Sequence, residues 1–530
     1  MRKLILLIVG LASLPTLADA KTPLIRCEGR VRVDSNGDGQ YSAGEPVLPG
    51  AAVSDGQRIF RTGRDGRFDF RVEDGHTVFL INPAGYTTVR RADGLPDTWR
   101  NLQSYPGPVL HFGGVPATRR PRCGDFLVQP SHPRAGRALE VHVSGDPQFK
   151  SMADVGYYRR DIIESSMGLG PVDLAVTLGD LVDDHLELYP ALKTEDAKLK
   201  APWLHAPGNH DLDFDADGDA HSLDSFRHAF GPDTYAWEEP EAAFIILDDV
   251  IWRGGAKSNY IGGLREDQFA FLQAYLATAP KDRLLVLALH IPLFDPVPGV
   301  ETFRHADRDR LFALLRPFPK LLVLSAHTHQ QMTVFHDASD GWNGATPLRE
   351  YNVGAACGAY WTGAKDAQGI PDSTMNDGTP NGYARIRISA DGQPQARYYS
   401  ARAPIDQQMT VHAPKVIRRN AYPAFGVFAN VWMGDATTKV EYRVDGGEWK
   451  PMKLVALPDP ALSVENARDD EAEALRGFDR SPEAVVSRHL WRGTLPTDLA
   501  AGEHRVEIRA VLDSGEARGN ADYRLDEVLP

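Results

Sequence analysis

Five polar clusters between residues 146 and 329 combine carboxylate, amide oxygen and imidazole, the side chains that hold hard to borderline metal ions. In chain order they are Asp146-Pro147-Gln148, Gly179-Asp180-Leu181-Val182-Asp183, Gly208-Asn209-His210-Asp211, a lone His290, and His327-Thr328-His329. Each alone has a plainer reading. A Gly-Asp pair makes turns, and a histidine closing an apolar run is commonly a hydrogen-bonded structural residue. Their shared placement says more, because every cluster follows the end of an apolar, strand-like run. Gathered at one place, such side chains would support metal-ion chemistry.

The elements that must position them follow from the patterning. The runs 174–178, 244–247, 284–289 and 321–324 are continuously apolar, as suits strands covered on both faces. Between them, Phe269, Leu272, Tyr275 and Leu276 recur at helical spacing over 267–278, and Leu311, Leu314 and Leu315 over 307–315. Strands alternating with helices predict a layered α/β domain over 139–400. In open α/β sheets the carboxyl ends of the strands form the ligand crevice, so all five clusters are expected to meet on one edge. The flanks read differently. Residues 24–129 and 405–530 carry short alternating runs such as Phe68-Asp69-Phe70-Arg71-Val72 and His504 to Ala510, broken by turn residues. This pattern predicts a β-sandwich on each side, with 129–133 as a linker and the acidic stretch 464–485 as a surface loop or insertion.

In order and spacing, these clusters resemble the calcineurin-like metallophosphoesterase superfamily, whose pattern is Asp-x-His, Gly-Asp-x-x-Asp, Gly-Asn-His-Asp, a lone His and Gly-His-x-His. The match runs from Asp146 to His329 with two departures: Gln148 stands where His is commonest and Ala326 where Gly is usual. The flanking β-domains, together with Gly358-Ala359-Tyr360-Trp361 and the segment from Asp377 to Tyr383, look like one exported bacterial branch of that superfamily.

The resemblance implies an α/β sandwich core and two divalent metal ions (Mn, Fe, Mg or Zn). One would be held by Asp146, Gln148, Asp180 and His329, the other by Asp180, Asn209, His290 and His327, with Asp180 bridging. His210 would stand beside the phosphate, oriented by Asp211. Two dications against two carboxylates leave a surplus of about two positive charges, which favours an anionic substrate. The expected reaction is hydrolysis of phosphomono- or phosphodiesters. A metal-bridging hydroxide would attack phosphorus, and His210 would protonate the leaving oxygen as general acid. An amide oxygen is a harder donor than imidazole nitrogen, so Gln148 should shift the first site toward Mn, Mg or Fe and away from Zn. Two rival readings stand beside this one. The Asp-x-Gln motif mildly encourages a pyrophosphatase acting on nucleotide diphosphate compounds. A non-enzymatic surface binding protein with a relict metal site is the other.

The rest of the chain sets bounds. With 530 residues, several domains are expected. A formal charge of -14 argues against non-specific nucleic-acid binding, which depends on excess Lys and Arg. Arg2 and Lys3, the apolar run to Leu17 and Ala18-Asp19-Ala20 read as a signal peptide over 1–20, so a periplasmic location and a small-molecule or envelope phosphoester substrate are expected. Cys27 and Cys123 flank the first β-domain and form a plausible disulfide, leaving Cys357 free. Asp34, Asn36, Asp38 and Glu45 match the spacing of a calcium loop in a β context, where a calcium staple and a plain Asx-rich turn both stay open. Tyr360, Trp361 and Tyr383 are candidates for the substrate-pocket wall, with core packing as the equal alternative.

Overall fold

The computed structural model describes residues 24–527, apart from 132, 133, 135 and 298. The expected signal peptide and part of the expected linker lie outside the described residues.

Two mixed sheets stack face to face at the centre. The first has five strands in the order Trp203–Ala206, Leu174–Leu178, Leu139–Ser144, Gly382–Ile388 and Pro394–Ser400, of which the first three are parallel. The second has six, in the order Tyr235–Glu238, Ala242–Ile246, Leu284–Ala288, Leu321–Ser325, Leu348–Asn352 and Met332–His336. Side chains alternate across each strand, which explains the continuous apolar runs. Val141, Val143, Val176 and Leu178 face Phe244, Ile246, Val286 and Leu324 between the sheets. Their neighbours Ala175, Ile245, Leu285 and Leu287 turn outward into a second core. That outer layer includes helices Met152–Tyr158, Glu266–Leu276 and His305–Leu315, whose buried stripes hold Val155, Phe269, Leu272, Leu311 and Leu315. With both faces covered, the parallel strands that carry the five clusters offer their ends to solvent.

Residues on the N-terminal side form two four-stranded sheets around Val31, Val53, Phe68 and Val78. The strand Arg67–Glu73 alternates exposed and buried at every position, as its sequence predicts. Cys27 and Cys123 are joined by a disulfide, and Cys357 is free and buried. On the C-terminal side a four-stranded and a five-stranded sheet enclose Val427, Val506 and Tyr523, and the long hairpin Gly502–Leu512 with Gly515–Asp526 spans the latter sheet. The expected loop at 464–485 differs from the structure in its first part, where helix Pro460–Asp470 forms. Asp459 caps it by accepting from the amides of Ala461 and Leu462, and Pro460 opens it. Among the described residues no helix is long and apolar enough to cross a membrane.

Candidate metal centre

The five clusters meet at the carboxyl ends of five strands. Asp146 and Gln148 follow Leu139–Ser144, Asp180 follows Leu174–Leu178, and Asn209 to Asp211 follow Trp203–Ala206. His290 and His327 follow Leu284–Ala288 and Leu321–Ser325 in the facing sheet. The centre therefore sits where the two sheets open, with ligand-type side chains contributed from both.

Bringing bulky polar groups this close requires glycine beside them. A Cβ on Gly208 would lie 2.2 Å from the Asp180 amide nitrogen. Ala326, the residue that departs from the family pattern, is accommodated by its neighbour, since a Cβ on Gly145 would stand 2.8 Å from the Ala326 methyl. The backbone is also bent hard. Asp146, Gln148, Asp180, His327 and His329 all take positive φ, between 45° and 69°. Each such non-glycine residue costs roughly 1–3 kcal/mol, and the cost is tolerated where surrounding structure fixes the turn for a functional purpose.

At the heart of the site, ligand atoms of Asp180, His290 and His327 lie within 4.8 Å of one another. His290 Nε2 is 3.3 Å from an Asp180 oxygen, 3.0 Å from Asn209 Oδ1 and 3.1 Å from His327 Nδ1. His329 Nε2 approaches Asp146 at 3.7 Å, and Gln148 lies beside it through Cys357, whose Sγ is 3.6 Å from Gln148 Oε1. The arrangement fits metal binding by its donor chemistry. His290 Nδ1 is tied to the Leu178 carbonyl at 2.8 Å and His329 Nδ1 to the Gly358 carbonyl at 2.7 Å. Each bond fixes the ring and turns Nε2 inward, the outer hydrogen bonding that orients metal-ligating imidazoles. Buried acids and imidazoles polarise one another. Burial would lower the His290 pKa, but the Asp180 charge and hydrogen bond raise it to about 10. Burial and the His290 charge push His327 down to about 3.

His210 lies at the rim, partly exposed, with its amide donating to Asp180 Oδ1 at 2.8 Å. The expectation that Asp211 orients it is corrected. Asp211 is fully buried, and its carboxylate accepts from the amides of Gly208 (2.8 Å) and Leu181 (3.1 Å) and from the Tyr189 hydroxyl (3.1 Å). It thus braces the turn that carries Asn209. Asp184 holds His210 instead, at 2.7 Å from Nδ1, with Asp183 at 3.1 Å. Asp184 is pinned in turn by Lys257 at 2.6 Å and has φ of 65°. Burial disfavours the His210 cation, yet the Asp184 hydrogen bond and the charges of Asp180, Asp184 and Asp183 raise its pKa to about 9. The sequence motifs do not mark Asp184 or Cys357 as residues of the centre, Cys357 being legible there only as the free cysteine. The doubled acid at 183–184, directly after the second cluster, was the available signal for the first.

The three aromatic candidates divide. Tyr360 is 46% exposed and stacks on His329 with ring centres 4.4 Å apart, so it forms a wall of the centre. Trp361 is buried, and its indole N–H donates to the Pro147 carbonyl at 3.0 Å, supporting the Asp146–Gln148 turn. Tyr383 is not a pocket residue. It is fully buried, bonded to Ser165 and packed beside His142 and Tyr399 on the helix side of its sheet. In the loop at 34–45, Asp34 accepts from the amides of Gly37, Asp38 and Gly39, and Glu45 from those of Ser35, Asn36 and Ser42. The candidate calcium oxygens are therefore directed at the loop's own donors, and Asn36 donates to Asp38 at 3.0 Å.

The family model described as calcineurin-like phosphoesterase matches residues 141–331, and that described as the C terminal of calcineurin-like phosphoesterase matches 350–517. A 3',5'-cyclic adenosine monophosphate phosphodiesterase of Escherichia coli is 29% identical over 184 residues, covering 33% of this chain and 60% of that protein. Among solved structures, a dimetal phosphatase from Danio rerio aligns at 14% identity over 50% of this chain and 100% of its own, with a TM-score of 0.34. A purple acid phosphatase from yellow lupin aligns at 13% identity over 72% of this chain and 67% of its own, with a TM-score of 0.38. All five motif clusters lie inside the first matched span and the second span follows it, so the chain carries a calcineurin-like phosphoesterase domain and that family's C-terminal domain.

Proposed function

We propose that this chain is an exported, periplasmic metal-dependent hydrolase of phosphomono- or phosphodiesters that works with two divalent ions. The observation that carries the reading is the convergence of Asp146, Gln148, Asp180, Asn209, His290, His327 and His329 from five separate strand ends, with Asp180 among the imidazoles. Asp146, Gln148 and His329 would serve one ion, Asn209, His290 and His327 the other, and Asp180 both. Such ions supply positive charge that lowers the pKa of water and neutralises phosphoryl oxygens.

The remaining work falls to the protein's own groups. The buried strand ends exclude bulk water on the inner side. Asp184 holds the Nδ1 proton of His210, which leaves Nε2 as the nitrogen able to hand a proton to a departing ester oxygen. Tyr360 offers an apolar wall beside His329. The domain division at 24–129, 139–400 and 405–530 is part of the same proposal, with the outer modules framing the catalytic one.

The name of the Escherichia coli relative, a cyclic-nucleotide phosphodiesterase, favours including a diester in the test. The purified chain should be assayed with Mn, Mg, Fe and Zn on p-nitrophenyl phosphate, bis-p-nitrophenyl phosphate, a cyclic nucleotide and ADP-ribose. Turnover on the esters that is lost on chelation is expected. Cleavage of ADP-ribose alone would favour the pyrophosphatase reading, and tight metal with no turnover on any substrate would favour a relict site.

A further inference from the structure

At the opposite end of the same sheet, the antiparallel strands Gly382–Ile388 and Pro394–Ser400 put arginines on their outer face. Arg385 pairs directly with Arg397 across the strands, and Arg387 lies two residues along on the same face. Like charges directly opposite in a sheet are destabilising unless something between them is negative. These residues and Arg137 line an open recess of about 670 Å³.

The arginines are not neutralised equally. Arg387 is paired with Glu140 at 2.8 Å and Arg137 with Asp173 at 2.6 Å. Arg385 and Arg397 have no carboxylate partner among the described residues. Arg385 is only 5% exposed and donates to the carbonyls of Ser166 and Gly170 and to the Ser166 hydroxyl. Arg397 donates to the Ile405 carbonyl at 3.0 Å. In both, the Nε atom is buried with no acceptor. A buried, unsatisfied guanidinium donor is expensive, and two facing each other more so. The chain carries 72 acidic residues against 58 basic ones, so a pair of arginines left without acids is not a matter of supply.

We propose that this recess is a binding site for a phosphate-class oxyanion, separate from the metal centre. A tetrahedral anion accepts in-plane hydrogen bonds from guanidinium forks and would supply both the missing acceptors and the missing charge. Arg385 lies opposite His142, four residues before Asp146 of the metal centre, so the two sites lie roughly 13 Å or more apart along the sheet. The recess is therefore not a subsite of the reacting ester.

Isothermal titration of the full chain with inorganic phosphate, and separately with soluble polyphosphate, tests the site. A His290→Ala background, made to remove the metal centre, should retain one phosphate-binding event. Adding Arg397→Gln should weaken that event at least tenfold while the melting temperature without anion is no lower than that of the background. Arg385→Gln should do the same if it folds; Arg397, on a more exposed side chain, decides the matter if it does not. Polyphosphate binding tenfold tighter than phosphate would assign the site to a phosphate carried on a larger molecule, and equal affinity to the free anion. Unchanged phosphate binding in the Arg397→Gln chain, or no binding at all in the His290→Ala background, would overturn the proposal.

Discussion

Replacing His210 by alanine separates a proton donor from a metal ligand. The geometry makes the expected effect specific. His210 reaches the candidate centre only through its amide, which bonds Asp180, while its ring is held from outside by Asp184 and Asp183. Truncation at Cβ leaves that amide and all seven candidate ligands in place. What is lost is the proton at Nε2, a contribution of about 10²–10⁴ in turnover for a positioned general acid. At about 1.4 kcal/mol per tenfold, this is roughly 3–5 kcal/mol of transition-state stabilisation. The loss should depend on the leaving group. An alkyl phosphate, whose alkoxide must be protonated as it departs, should bear the full effect, and p-nitrophenyl phosphate, which leaves as a stable anion, much less. Steady-state kcat on both substrates, with metal content measured on the same samples, checks this. Metal lost with the side chain, or an equal fall on both substrates, would refute the assignment.

Three further outcomes are expected. Removing the Cys27–Cys123 disulfide by a double alanine substitution frees a loop with a sequence separation of 96, worth about 4.7 kcal/mol of chain entropy, so chemical denaturation should show a large loss in the N-terminal module. Asp93→Asn should weaken the contact of that module with helix Tyr189–Asp196. Asp93 meets Lys193 at 3.0 Å, and although burial opposes it, the Lys193 hydrogen bond and charge hold the carboxylate below its ordinary pKa. A depressed carboxylate stabilises the fold above its unfolded pKa and loses this as pH falls through its lower folded value. The variant should therefore be less stable by about 0.2–1 kcal/mol at neutral pH, and the gap in denaturation midpoints should close below about pH 4. Leu324→Ala, which empties a fully buried position between the two central sheets, should cost about 2–5 kcal/mol by the same measurement.

Much of the architecture is written locally in the chain. Continuous apolar runs at 174–178, 284–289 and 321–324 announce strands covered on both faces, because each face has its own apolar partner. Helical spacing over 267–278 and 307–315 appears as Glu266–Leu276 and His305–Leu315, with termini shifted by a residue or two. The ligand-type residues were legible for a related reason. Metal chemistry needs particular donor atoms, and the strand ends hold them in short motifs whose spacing survives in one dimension.

Contacts made across the fold were not legible in this way. Asp211, next in sequence to His210, supports the Gly208 and Leu181 amides, and the imidazole is held by Asp184 from another strand end. Tyr383 shares its neighbourhood in sequence with residues near the centre, but the strand's two-residue alternation sends it to the helix side, beside His142. The helix at Pro460–Asp470 depends on the Asp459 cap rather than on any strong apolar period. The sequence by itself determined which atoms are available and which strands deliver them, since both depend on residue type and local periodicity. Only the tertiary structure decided which side chain faces which, because a hydrogen bond between residues far apart in the chain depends on the register and stacking of whole sheets.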